Sequence, residues 1–151
     1  MNMQSNFKNI RELYLKLRKD TPKNLVVIIS DDDEGHTVLI KKNIIRAGIS
    51  SEILNFKNGL ETLEYLNKYR GDEKSYILLL DIRMPKMDGI EVLQRIKNDN
   101  NLKKIPVIMI TTTDDPREIE LCYKLGCSDY ITKPIDFNRF VNAFSSLGYI
   151  S

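Results

Sequence analysis

The chain has 151 residues, enough for one domain with a real core, and its 42% apolar and 29% charged residues suit a globular protein rather than a disordered or membrane one. The net charge of +2 is scattered along the sequence, so charge gives no support to nucleic-acid binding, and no apolar run approaches the ~20 residues of a spanning helix. The start, MNMQSNFKNIRELYLKLRKD, lacks the apolar core of a secretory signal, which makes the cytoplasm the expected location. Cys122 and Cys127 cannot form a disulfide framework and have no zinc-site spacing, so both are expected to be reduced, small apolar filler.

Residues 5–19 carry Phe7, Ile10, Leu13 or Tyr14, and Leu17 at helical spacing. They predict an amphipathic helix ending before Pro22, an extension over 1–22 ahead of a main domain over 23–151. Its stripe packs either on that domain or on a second copy of the chain. From Leu25 an alternation begins: LVVIIS reads as a continuous apolar strand, the run Asp31, Asp32, Asp33 follows, and HTVLIKKNIIRAG predicts a helix closing on Gly48. SEILNF is the second strand and GLETLEYLNKYR the second helix. In residues 75–92, SYILLLDIRMPKMDGIEV, the apolar run 77–80 ends in Asp81, and a proline turn with Gly89 opens a helix over IEVLQRIKND. LKKIPVIMI is the fourth strand, leading to Thr111, Thr112 and Thr113. Pro116 falls in the first turn of the fourth helix, which runs to Gly126. SDYIT, the fifth strand, meets Lys133 and Pro134, and DFNRFVNAFSSLG is the fifth helix.

Strands alternating with helices across short crossovers predict a parallel sheet covered on both faces. The first, third and fourth strands are the most uniformly apolar, which puts them inside and predicts a flavodoxin-like (βα)5 sandwich of strand order 2-1-3-4-5, with an extra N-terminal helix. Ligands bind such sheets beyond the carboxyl ends of the strands. Asp31 and Asp32 leave the first strand there, Asp81 the third, Thr111 the fourth and Lys133 the fifth. Parallel strands lie about 4.8 Å apart, so acids leaving adjacent strands come close. Clustered carboxylates repel until a proton or cation relieves them. Such acids, with room for water and a phosphate, describe a magnesium site.

Those residues, in that order, carry a resemblance. Over roughly 24–148 the chain resembles the receiver domain of bacterial two-component response regulators, in the acidic pair after the first strand, LLLDIRMPKMDG, Thr111 followed by the small Thr112, Tyr130 within DYITKP, and the step from Lys133 to Pro134. NGLETLEYLNK and LKKIPVIMITTT are most similar to the stand-alone, phytochrome-associated regulators. The resemblance implies a phosphorelay switch. Asp81 would be the phosphoacceptor, receiving its group from a sensor histidine kinase or a histidine phosphotransfer protein. Asp32, the backbone carbonyl of Arg83 and one Asp81 oxygen would hold Mg2+, with Asp31 acting through water. Lys133 would reach a phosphoryl oxygen, and its bond to Pro134 is expected to be cis. Thr111 would sense the phosphoryl group and Tyr130 would report it. A downstream protein would then read the face made by the fourth helix, fifth strand and fifth helix. Arg83 and Thr113 flank the phosphoryl position and would tune its lifetime. Ser30, where an apolar residue is usual, and Glu34, where a proline or small residue is frequent, depart from the family pattern and leave the expected site standing.

Other readings share some of these ingredients. Asp31 to Asp33 could only cap a helix, which leaves Asp81 and Lys133 unexplained. The run lacks the alternation and glycine of a calcium loop. His36, with no nitrogen or sulfur ligand near it in sequence, reads as an ordinary helix-start residue. A magnesium-dependent phosphohydrolase with an aspartyl nucleophile usually needs a second acid two residues on, where Arg83 stands. A flavodoxin-like nucleotide or flavin module needs a phosphate loop after the first strand, where three acids would repel the ligand. The expectation is therefore a protein that catalyses only its own phosphorylation and dephosphorylation.

Overall fold

The six residues LVVIIS have no polar face to offer solvent, and they form β1 (Leu25–Ser30), buried along its whole length. β3 (Ser75–Leu80) and β4 (Val107–Thr111) are its interior companions. β2 (Glu52–Phe56), which carries a glutamate and an asparagine, is only partly buried at one edge, and β5 (Asp129–Thr132) forms the other. This computed structural model describes residues 24–69 and 71–147, together with Ile10, Glu12 and Pro22. Its sheet is parallel throughout, with order β2-β1-β3-β4-β5. The expected topology is the observed one. The helix expected over 5–19 and the packing of its stripe lie outside the described residues, except that Ile10 and Glu12 are helical.

The helices α1 (Glu34–Arg46), α2 (Gly59–Lys68), α3 (Gly89–Lys97) and α4 (Pro116–Leu125) each return the chain to the start of the next strand, and α5 (Phe137–Ser145) follows β5. Each opens on an aspartate or asparagine, Asp33, Asn58, Asp88, Asp115 and Asp136 in turn, whose side chain accepts an N–H the first turn cannot satisfy. α4 closes on Gly126 at φ 110°, a left-handed position that glycine takes without strain.

Successive strand residues face opposite sides and divide the core into two layers. Val27, Ile29, Leu79 and Ile108 pack against Ile40 and Ile44 of α1 and Phe140 and Phe144 of α5. Val26, Ile28, Leu78, Leu80 and Met109 pack against Leu63 and Leu66 of α2, Val92 and Ile96 of α3, and Cys122 of α4. Both cysteines are free and buried in this second layer. Burial pushes the Cys122 thiol up to about 11 and that of Cys127 up to about 12, which keeps them protonated and inert.

Several boundaries shift from the sequence expectation, and two of the shifts have a clear physical cause. α1 begins at Glu34 rather than at His36, because Asp33 is its cap and accepts the His36 N–H. The fourth strand begins at Val107, not at Leu102. The intervening residues wind into a turn in which the N–H groups of Leu102 and Lys103 donate to the Asp99 carbonyl. The Lys97 ammonium closes that turn by donating to the Lys103 and Ile105 carbonyls. Leu102, 3% exposed, serves the core from this turn, so its hydrophobicity imitated a strand residue.

Candidate functional site

The carboxyl edge of the sheet brings together side chains from three strand ends and one helix start. Asp81 is tied to the end of β1 by its N–H, which donates to the Ser30 carbonyl at 2.9 Å. Its Oδ1 accepts the Ile82 N–H at 2.8 Å, and its Oδ2 faces Lys133 Nζ at 3.3 Å. Asp31, one residue past β1, accepts the Asp33 N–H on Oδ1 at 2.9 Å and the Lys133 ammonium on Oδ2 at 2.7 Å. Gly89 is seated so closely that a Cβ there would lie 2.0 Å from the Asp81 carbonyl oxygen. This is why the turn after Asp81 needs a residue without a side chain.

Lys133 reaches this point from the end of β5, two strands away from β3. Its N–H donates to the Thr111 carbonyl at 2.8 Å, its bond to Pro134 is cis as expected, and its side chain is 6% exposed. Nζ also lies 2.7 Å from His36 Nδ1. An ammonium can only donate, so Nδ1 is the acceptor here and the ring proton sits on Nε2. His36 stands in the first turn of α1, as read from sequence, yet its ring belongs to the site.

The charges do not balance. With both carboxylates ionised, Asp31 and Asp81 present two negative charges, nearly buried, to the one ammonium. Burial pushes the Asp31 carboxyl above the usual carboxylate range, and the Lys133 and Asp33 hydrogen bonds only partly offset it. Asp31, His36 and Asp81 each bring one ligand atom to within 4.8 Å of the others. Oxygen-rich donors with surplus negative charge fit a divalent cation. Asp32 is exposed and stands outside that cluster.

The remaining residues surround this centre. Thr111, wholly buried, ends β4, and its Oγ1 accepts a long contact from the Thr113 N–H at 3.4 Å. Thr112 is exposed and, with His36, Lys133 and Pro134, lines a cavity of about 550 Å³ between α1 and the loop after β5. Tyr130 is buried and its hydroxyl donates to the Thr113 carbonyl at 2.7 Å, while burial pushes its phenol far above the ordinary value. The Arg83 side chain is 72% exposed and pairs with Glu118 of α4 at 3.4 Å. The two departures from the family pattern acquire partners. Ser30 Oγ shares a 2.6 Å hydrogen bond with Thr62 of α2, and Glu34 pairs with Lys57 at 2.9 Å.

The fold is an open α/β sheet with an acidic site at its carboxyl edge, and comparison with known proteins gives it a family. Residues 27–145 match the response regulator receiver domain, so the chain belongs to that family of two-component signalling switches. The polar-differentiation response regulator DivK of Brucella anthropi is 33% identical over 125 residues, covering 83% of this chain and 95% of that one. The structure of the bacteriophytochrome response regulator AtBRR superposes with a TM-score of 0.73 at 30% identity, covering 86% and 96% of the two chains. That of the Mn2+-bound form of response regulator Rcp1 gives 0.68 at 26% identity, covering 83% and 94%. The similarity to phytochrome regulators read in the sequence is thus present in these relatives. Receiver domains take a phosphoryl group on aspartate, bind divalent cations at their acidic site, and work with histidine kinases or phosphotransfer proteins and with downstream targets. Neither the phosphohydrolase nor the nucleotide-module alternative is favoured. No helix among the described residues is long and apolar enough to cross a membrane.

Sequence reasoning placed His36 at the helix start but did not reveal that its ring faces Lys133. Its contact with Lys133 spans 97 positions, and only the presence of a lone histidine at a helix start pointed there.

Proposed function

We propose that Asp81 is the phosphoacceptor of a cytoplasmic two-component relay, charged from a phosphohistidine and signalling by protein contact. The observation that carries this reading is the buried Asp31–Asp81 carboxylate pair at the strand ends, bridged by the ammonium of Lys133. In the transfer, an Asp81 oxygen bonds to phosphorus as the donor's phosphorus–nitrogen bond breaks, and the leaving imidazole is protonated. Mg2+, when bound, neutralises charge on the transferring group. Asp32, the Arg83 carbonyl and an Asp81 oxygen would hold that ion, with Asp31 acting through water. Lys133 supplies a mobile point charge to a phosphoryl oxygen. The chain catalyses only its own phosphorylation and dephosphorylation.

Thr111 then donates its hydroxyl to the phosphoryl group and Tyr130 moves with it. One hydrogen bond to a charged group contributes roughly 1.5–3 kcal/mol. Reversing a two-state population from rare to dominant takes about 5.5 kcal/mol, so Lys133 and a bound partner must contribute the rest. The face that reads out is α4, β5 and α5, where Leu121 and Tyr123 are exposed. Thr112 stands with Thr111, Lys133 and Tyr130 as a phosphoryl-binding and switch residue, while Arg83 and Thr113 tune the lifetime of the phosphoryl group. Residues 1–22 form an extension to the receiver domain over 23–151, and a second copy of the chain is among the partners its stripe would serve.

The test is intact-mass measurement after incubation with a small phosphodonor and Mg2+. The native chain gains one phosphoryl group and Asp81→Asn gains none. Turnover of an external phosphoester without a stable adduct would overturn the reading.

A further inference from the structure

One face of α1 carries His36, Leu39, Lys42 and Arg46 at three- and four-residue spacing, and this stripe walls one side of the cavity of about 550 Å³ next to the acidic site. Thr112, Lys133, Pro134 and Ile135 line the other side. Among the described residues no carboxylate lines it. Lys133 is already paired with Asp31 and Asp81, so the unbalanced charge of the cavity is that of Lys42 and Arg46. Like charges four residues apart on a helix repel, and among the described residues no acid pairs with either. The Arg46 guanidinium lies 4.0 Å from the centre of the Phe137 ring, which steadies it without using its N–H donors. Beside these cations Leu39, 56% exposed, joins Pro134 and Ile135 in an apolar surface.

From this meeting of unpartnered cations with an apolar wall, we propose that the cavity binds a small amphipathic carboxylate, and that its occupancy opposes phosphorylation of Asp81. Small-molecule sites have volumes of this order and combine an apolar lining with a few polar groups that orient the ligand. The planar Arg46 fork takes a carboxylate through two parallel donors, Lys42 adds a point charge, and the apolar body lies on Leu39, Pro134 and Ile135. The opposition to phosphorylation rests on the phosphoacceptor reading. Thr112 and Lys133, which would hold the phosphoryl group, also line the cavity, so the two anions share one wall and repel. A ligand weakened by phosphorylation disfavours phosphorylation in turn, because coupling between two sites is reciprocal.

Octanoate is the probe, with octanol as its uncharged counterpart and acetate as its headgroup alone. Titration calorimetry of the full chain should show saturable binding of octanoate and weaker binding of the other two. The dissociation constant should rise on the order of tenfold in Arg46→Gln, which removes a charge-assisted pair. It should rise also in Lys42→Gln, an exposed position where the substitution leaves folding intact. Phosphoryl uptake from a small phosphodonor and Mg2+, read by intact mass, should fall with octanoate in the native chain and much less in Arg46→Gln. Octanol binding as tightly as octanoate would mark a surface for an apolar helix of a partner protein and overturn the carboxylate site. Octanoate binding untouched by both substitutions, or no binding, would overturn it as well. Uptake indifferent to saturating octanoate would overturn the opposition. Uptake without octanoate stands in each of these cases, which separates failure of this site from failure of the phosphoacceptor reading.

Discussion

The molecule holds two clusters of opposite charge, and they are finished to different degrees. At Asp129 the Arg139 guanidinium gives one donor to each carboxylate oxygen, at 2.7 and 2.5 Å, and another to the Tyr130 carbonyl at 3.0 Å. The Tyr123 hydroxyl adds a donor from α4 at 3.1 Å, so one carboxylate joins α4, β5 and α5. Burial acts to raise that carboxyl, but the Arg139 fork and the Tyr130 N–H hold it below the usual carboxylate range. At Asp31 burial wins instead, and two acids share one lysine. The first cluster is a closed clasp. The second has more acid than base, a deficit that a structural site would not keep and that a cation can fill.

Removing the base from the unfinished cluster should have the largest effect. Lys133→Met leaves two nearly buried carboxylates facing each other, and without divalent ions it should cost about 3 kcal/mol in urea unfolding. Added divalent cation should recover part of that loss. A variant as stable as the native chain would show that Lys133 does not balance the site.

Opening the finished clasp should cost less. Arg139 is 41% exposed, so Arg139→Ala should lose about 1 kcal/mol. Its pH signature separates the two clusters. Asp129 is depressed in the folded state, so its contribution is full above the unfolded carboxylate pKa and is lost as pH falls through the folded one. Asp31 is raised, so the folded state holds its proton longer, and stability falls as pH rises from the unfolded value through the folded one. Stability measured across the acid range should therefore lose its low-pH decline in part in Arg139→Ala, and gain stability toward neutral pH in Asp31→Asn relative to the native chain. Slopes of the same sign at both acids would erase the distinction.

The smallest effect on stability belongs to Arg83. Its contact with Glu118 is long and exposed, so Arg83→Ala should change stability by less than about 0.5 kcal/mol. The lifetime of phosphorylated Asp81 should change nonetheless. An unchanged dephosphorylation rate would remove Arg83 from the tuning residues.

Much of this was legible before any coordinates. LVVIIS, SYILLL and VIMIT have no polar face, and a strand without one must lie inside a covered sheet. Asp81 was conspicuous because a carboxylate directly after such a run can only leave the sheet at its carboxyl edge. The helices were legible from their periodicity, although the first was placed two residues late, since Glu34 and Gly35 have no apolar side chain to register in it. Leu102 misled for the opposite reason: burial from a turn leaves the same trace as burial from a strand. Ser30 looked like a mere departure until Thr62, 32 positions on, proved to be its partner.

By itself the sequence determined the element order, the sheet's interior strands and the acids, hydroxyl and amine at one edge, because these follow from local periodicity and from which residues end each strand. Only the tertiary structure decided that Lys133 settles between Asp31 and Asp81, that His36 turns its lone pair to the same point, and that Arg83 reaches for Glu118. The Lys133–Asp31 contact crosses 102 positions. No periodic pattern encodes such a distance; it comes from the order in which the strands pack and the directions their ends then share.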